Sequence, residues 1–285
     1  DPDAGTVRVH QRTSPEHIDP SRLSVAEATQ WHGEGGETVH GLYYPPMVPA
    51  GNQPTGAPPL VVIIHGGPTS QATSDYDKDA QFFATRGYAV LYVNHRGSTG
   101  YGRAYMKQLE GNWGLYDVED AASGAHHLVA AGKADPDKLI IMGGSAGGYT
   151  VLQSLVEKPG FYAAGICRYG ISNQFMLVQT THKFEARYND RLLGTLPEDT
   201  DKYRARSPLF NAEQIVDPVI VFQGEEDDVV PKDQSDSMIA ALRARGVPYD
   251  YHVYAGEGHG FRQPKHIQDY YERILAFLNQ YVIYA

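Results

Sequence analysis

One segment constrains this chain more than any other: Lys138-Leu-Ile-Ile-Met-Gly-Gly-Ser-Ala-Gly-Gly-Tyr-Thr150. An apolar run of strand length ends in glycines, a serine follows, and a segment of helical length, 146–157, begins at once. A strand that is apolar at consecutive positions has to be covered on both faces, as a parallel strand inside a layered domain is. Five further stretches read as strands, several almost wholly apolar: 60–65, 89–94, 163–169, 219–223 and 249–254. Segments of helical length lie between them at 75–86, 117–131, 232–245 and 266–281. Gly87, Gly132 and Gly246 follow three of these where a left-handed C-cap belongs. Strands alternating with helices define an α/β fold, a mostly parallel central sheet with helices on both faces.

The alternation does not reach the ends of the chain. Residues 1–45 read as a linker-like segment packed on the domain, and 46–285 as the α/β domain itself. Within the first part, 38–44 alternates in the manner of an edge strand or half a hairpin. Residues 172–210 mix aromatics with charges and carry Pro197 and Pro208, so they break the pattern and read as an excursion over the C-terminal edge of the sheet. The first residue is not Met, so a processed product or a piece of a longer protein is expected.

Composition excludes several classes. The formal net charge of −10 disfavours nucleic acid, whose phosphates need clustered Lys and Arg, and gives no reason to expect an anionic membrane as partner. No apolar run approaches a membrane span and no signal peptide is visible, so a cytoplasmic protein is expected. The single cysteine, Cys167, sits in an apolar run and reads as a buried structural thiol. No His-Glu-x-x-His and no cysteine pair occurs, so no metal and no cofactor is expected. Gly97-Ser-Thr-Gly100-Tyr-Gly102 lacks the spacing of a dinucleotide loop and reads as a structured turn. Whether the chain forms a homo-oligomer is left open by its sequence.

The chemistry concentrates at strand ends. Gly143-x-Ser145-x-Gly147 between strand and helix is the pattern of a nucleophile elbow, a sharp turn that lifts a serine hydroxyl above the sheet edge. The helix behind it points its N-terminus, with the N–H of Ala146, at a developing oxyanion. After the strand at 219–223 come four acids, Glu225, Glu226, Asp227 and Asp228, where an orienting carboxylate belongs. Spacing alone does not choose among them. After the strand at 249–254, Gly256-Glu-Gly-His259-Gly places a histidine on a glycine-rich loop. Of 12 histidines, His259 completes the chain order serine, acid, histidine, whereas His252 lies within a strand and reads as structural. An early strand ends in His65-Gly66-Gly67-Pro68, either a second oxyanion donor or a plain tight turn.

Taken together these stretches resemble the catalytic domain of the prolyl oligopeptidase family of serine peptidases, in its acylaminoacyl-peptidase and dipeptidyl-aminopeptidase branch. The resemblance rests on His65-Gly-Gly-Pro68, Asn94-His-Arg-Gly-Ser-Thr-Gly-Tyr-Gly102, Trp113-Gly-x-x-Asp117-x-x-Asp120, Gly143-Gly-Ser-Ala-Gly-Gly-Tyr149, Phe222-Gln-Gly-x-x-Asp227 and Gly256-Glu-Gly-His-Gly-Phe261. It implies the α/β-hydrolase fold and a triad of Ser145, Asp227 and His259. Asp227 is selected because Val230 and Pro231 follow it as in the family's pattern. It implies oxyanion donors at Ala146 and at Gly66 or Gly67, and a short peptide or acyl-peptide substrate cleaved through an acyl-enzyme on Ser145.

An apolar specificity pocket is expected from Tyr149, Phe175, Phe184, Val229 and Val230. The family's full-length members carry a β-propeller ahead of this domain, for which the chain has no room. Some branches hold a substrate carbonyl with Arg or Asn two residues after the acid, where this chain has Val229. A carboxylesterase on the same triad and a non-catalytic binding module on the same fold are the competing expectations.

Overall fold

A computed structural model describes residues 3, 5, 6, 8, 10, 11, 18–47, 56–181, 185 and 187–285. Eight strands form one sheet: β1 (Glu27–His32), β2 (Thr38–Tyr44), β3 (Leu60–Ile64), β4 (Ala89–Asn94), β5 (Leu139–Gly144), β6 (Ala164–Arg168), β7 (Val219–Gly224) and β8 (Tyr249–Tyr254). Their spatial order is β1-β2-β4-β3-β5-β6-β7-β8. β1 with β2 and β2 with β4 pair antiparallel, and every later pair is parallel. The helices are α1 (Lys78–Ala84), α2 (Arg103–Lys107), α3 (Tyr116–Ala130), α4 (Ala146–Glu157), α5 (Gln174–Thr180), α6 (Tyr188–Leu192), α7 (Thr200–Ala205), α8 (Lys232–Arg245) and α9 (Pro264–Leu278).

The sheet begins earlier than the sequence suggests. Residues 27–44 are a hairpin whose second strand pairs with β4, in register from His40 opposite Asn94 to Tyr44 opposite Val90. Trp31, Val39 and Tyr43 are buried in the core. Within the span expected to be linker-like, 27–44 thus belongs to the sheet. β1 is the edge strand and buries only Trp31, so its composition looks polar, whereas β2 is covered on both faces, with Val39 and Tyr43 in one core and Leu42 and Tyr44 in the other.

Central strands are buried on both faces, as their apolar runs demand. Leu60, Val62 and Ile64 of β3 face a core shared with α3, α4 and α8, whereas Val61 and Ile63 face a second core under α1 and α9. Each such side chain taken out of water contributes on the order of 1.5–3 kcal/mol. Caps fix where several helices begin and end. Asp77 accepts Ala80 N–H at 2.7 Å ahead of α1, Asn173 accepts Phe175 N–H at 3.0 Å ahead of α5, and Gly246 closes α8 with φ 71°.

Chain order turns back on itself at the middle of the sheet. β3 is followed by β4 on one side, and the chain then crosses to β5 on the other. A crevice opens outside the C-terminal ends of the strands at such a reversal. The residues after β3 and β5 are His65, followed by Gly66, and Ser145. The excursion after β6 folds as α5, α6 and α7 and packs over this end, with Leu177, Leu192, Leu193 and Tyr203 sharing a third apolar cluster with Ala146 and Val230.

Candidate active site

The glycines around Ser145 are required by close approach. A Cβ at Gly147 would stand 2.1 Å from the carbonyl oxygen of Ile64, and one at Gly143 would stand 2.4 Å from that of Gly147. Strand β5, the first turn of α4 and the end of β3 thus touch backbone to backbone. This packing forces the turn: Ser145 has φ 57° and ψ −124°, outside the regions that L-residues prefer. Its N–H donates to Arg168 O at 3.0 Å, and its carbonyl oxygen receives Tyr149 N–H at 2.9 Å. Ser145 is half-buried at the head of α4, whose first N–H groups have no acceptor within the helix.

The four acids after β7 separate by environment. Glu225, Glu226 and Asp228 are exposed, whereas the Asp227 side chain is fully buried. Asp227 Oδ1 accepts the N–H groups of Val229 at 3.0 Å and Val230 at 2.9 Å. Its Oδ2 accepts from Gln223 Nε2 at 3.3 Å and from His259 Nδ1 at 2.8 Å. A carboxylate only accepts, so Nδ1 of His259 carries the proton and Nε2 of the neutral ring is left as a base. The His259 side chain is 22% exposed, open to a reacting group.

Gly66 and Gly67 lie beside the elbow. A Cβ at Gly66 would be 3.6 Å from Ser145 Cβ, and Gly67 has φ 128°. His65 Nδ1 donates to Gly66 O at 2.8 Å, so its Nε2 accepts the Ser98 hydroxyl at 2.7 Å. In a trans peptide N–H and C=O point opposite ways, so this bond aims the Gly67 N–H away from the His65 ring. Burial and the neighbouring His95 push His65 down to about 3, and burial pushes His95 down to about 4, so both imidazoles are neutral.

A cavity at Ser145 is lined by Trp113, Ile171, Leu177, Tyr188, Val229 and Val230. Two expected pocket residues are elsewhere. Tyr149 is fully buried one turn into α4, with its ring on Trp113 at 4.6 Å and its hydroxyl donating to Arg206 O at 3.0 Å. Phe175 turns away toward Tyr203 and Phe210. It stands two residues from Leu177 on α5, about 200° around the helix, so the two cannot share a face. Phe184 lies outside the described residues. Leu177 and Tyr188 were missed, since nothing in the excursion's sequence says which helical face turns inward; Trp113, before α3, and Ile171, after β6, were missed because loop residues carry no such periodicity. Tyr188 also bonds Thr69 through its hydroxyl, and Thr69 N donates to the same oxygen at 3.2 Å, joining the excursion to the turn after β3.

Cys167 is buried, and burial holds its thiol up at about 12, too high for a nucleophile. Among the described residues no group of three His, Cys, Asp or Glu side chains is placed to hold a metal ion, and no helix is long and apolar enough to cross a membrane.

A doubly covered parallel sheet with a serine elbow after β5, a buried acid after β7 and a histidine after β8 defines an α/β-hydrolase. The chain belongs to the prolyl oligopeptidase family, which it matches over residues 74–283. It is 35% identical over 227 residues to dipeptidyl aminopeptidase BIII of Pseudoxanthomonas mexicana, covering 78% of this chain and 33% of that protein. It is 28% identical over 231 residues to the acylamino-acid-releasing enzyme of Arabidopsis thaliana, covering 78% of this chain and 30% of the relative. A Mycobacterium tuberculosis puromycin-hydrolyzing peptidase superposes with TM-score 0.95 at 40% identity, over 99% of this chain and 44% of that structure. The chain thus spans about a third of the length of these curated relatives and less than half of that solved structure.

Proposed function

We propose that this chain carries the catalytic centre of a serine peptidase that cleaves peptide or N-acyl-aminoacyl bonds of short peptides. The observation that carries the reading is the 2.8 Å bond between buried Asp227 and His259, at the sheet end where the elbow presents Ser145. His259 takes the proton of Ser145 as Oγ attacks the carbonyl carbon. Asp227 keeps the ring in the tautomer that can do so and stabilises the imidazolium that forms. The N–H groups of Ala146 and of the Gly66–Gly67 turn receive the oxyanion. The imidazolium then protonates the leaving amine, and water, deprotonated by the same ring, releases the acyl group. The pocket residues would take one side chain of the substrate in a mostly apolar environment, with Val229 and Val230 on one wall.

The relatives' names support a peptide substrate, and no membrane, nucleic acid or cofactor enters the reading. The test is active-site titration with a fluorophosphonate probe on this chain and on Ser145→Ala. A screen of aminoacyl and N-acyl-aminoacyl amides against simple esters follows. Labelling lost in the variant together with amide turnover supports the peptidase. Ester turnover alone points to an esterase, and an unlabelled parent overturns the assignment.

A further inference from the structure

Two described residues other than glycine have a left-handed backbone, and both are at this site: Ser145, and Tyr169 with φ 38°. A bulky residue in that region is strained, so its position has to be held by its surroundings. Tyr169 follows the last residue of β6. Its N–H donates to Phe222 O on β7 at 2.7 Å, and the preceding carbonyl, Arg168 O, accepts the Ser145 N–H. The backbone turn therefore sits between the strand that bears the serine and the strand that leads to Asp227.

The ring joins the same two sides. It lies tilted against the His259 imidazole, with centroids 4.5 Å apart and planes at 54°, and meets Phe261 at 5.6 Å from further along the histidine's loop. It also closes over the residue before the serine, since a Cβ at Gly144 would stand 3.0 Å from Tyr169 Cε2.

We propose that Tyr169 is a positioning residue whose ring face holds the His259 imidazole in the plane that meets Ser145. The inference rests on the reading of Ser145, His259 and Asp227 as a triad. The bond from Nδ1 to Asp227 fixes one ring atom and leaves the imidazole free to swing about that bond. The backbone at His259 is a turn closed by Gly260 N–H on Gly258 O at 2.9 Å, which fixes where the side chain starts but not the rotation of its ring. An aromatic ring packed against the imidazole at 4.5 Å and tilted 54° to it blocks the swing, and small angular errors in a base are costly in rate. The left-handed backbone is what aims the ring back over the elbow.

The experiment follows inactivation by a fluorophosphonate probe, separating the limiting rate constant from the apparent binding constant. Ser145→Ala and His259→Ala run alongside as controls on the triad. Tyr169→Gly removes the ring and relieves the strained φ, so it is expected to melt near the parent temperature. Its limiting rate constant is expected to fall by about 10- to 100-fold with the binding constant within about twofold. Tyr169→Phe keeps the face and is expected to retain the parent rate within about threefold. Tyr169→Leu, which fills the volume without the flat face, is expected to behave as Tyr169→Gly and replaces it should the glycine variant not fold.

A ring-free variant that keeps the parent rate overturns the proposal. So does a Phe variant as slow as the Gly variant, or a loss confined to binding. If His259→Ala labels like the parent, the triad reading fails, whatever Tyr169 does. An unlabelled parent overturns both together.

Discussion

Asp227 and His259 stand 32 residues apart in the chain, on the loops after two neighbouring parallel strands, and bond at 2.8 Å. The carboxylate is held from behind by two backbone N–H groups and lies wholly out of solvent, so its second oxygen has one orientation to offer the imidazole.

Replacing Asp227 with Asn tests that orientation. The amide oxygen can still accept from Val229 and Val230, so the loop should fold. The amide nitrogen then faces Nδ1 as a donor and favours the tautomer with its proton on Nε2, which cannot act as a base. Turnover should fall by roughly 10³- to 10⁴-fold with little change in melting temperature. A loss of less than tenfold would remove Asp227 from the triad.

The elbow glycines separate folding from activity. Gly147→Ala puts a Cβ 2.1 Å from the backbone at Ile64, where no flexible side chain can give way. Such overpacking costs about 1–3 kcal/mol or more, and the melting temperature should drop markedly. Gly66→Ala meets only ordinary contacts, 3.4 Å from Gly144 O and 3.6 Å from Ser145 Cβ. Its fold should survive within about 1 kcal/mol. Its new methyl group, beside the nucleophile, should still slow fluorophosphonate labelling. Thermal melts and labelling rates on the two variants give the comparison.

The apolar runs made the five inner strands β3 to β7 legible, because burial on both faces leaves consecutive apolar residues at 60–64 or 139–142 with few other readings. The helix at 232–245 was legible because Pro231 and Gly246 bracket it. The hairpin at 27–44 was obscured because its first strand, at the sheet edge, buries only Trp31. Asp117 stood out only as part of the Trp113–Asp120 stretch. It is fully buried and accepts from Gly114 N and Thr150 Oγ1, both at 2.6 Å, which ties α3 to α4. A partner 33 residues away leaves no local mark. Within the site, motif residues carry their identity in glycine spacing, while Leu177 and Tyr188 acquire a role only through how α5 and α6 dock.

Beneath the elbow, Arg168 pairs with Asp79 of α1 at 2.8 Å, and the Tyr271 hydroxyl of α9 donates to the same carboxylate. Burial alone would raise the Asp79 carboxyl, but Arg168 and Tyr271 bring it below the ordinary 3.8. Asp79→Asn leaves a largely buried guanidinium without its counter-charge, at a cost of about 3–5 kcal/mol. Because the folded carboxyl binds its proton less readily than the unfolded one, its contribution is present above about 3.8 and lost as pH falls further. The gap in melting temperature between parent and variant should therefore be widest near neutrality and narrow below pH 4. A gap that stays constant with pH would mean that the ion pair contributes nothing through its charge.

His65 and His95 stack at 4.7 Å behind the turn that holds Gly66 and Gly67. Folding keeps them neutral down to about 3 and about 4, whereas an unfolded histidine takes up its proton near 6.5. Between these limits the unfolded chain binds the extra protons, so stability contributed above about 6.5 is lost as pH falls toward 4. Each imidazole should cost about 1.4 kcal/mol per pH unit in that window. His95→Gln removes one of the two titrations, so unfolding free energies measured from pH 4.5 to 7 should slope less steeply in the variant by about that amount per unit. Parallel slopes would mean that His95 takes up its proton in the folded protein as readily as in the unfolded chain. The same comparison bears on function: acid that protonates His65 puts a proton on Nε2, where the ring accepts the Ser98 hydroxyl, while Nδ1 keeps its bond to Gly66 O. The labelling rate at Ser145 should therefore recover on return to neutral pH after brief acid exposure only while the fold persists.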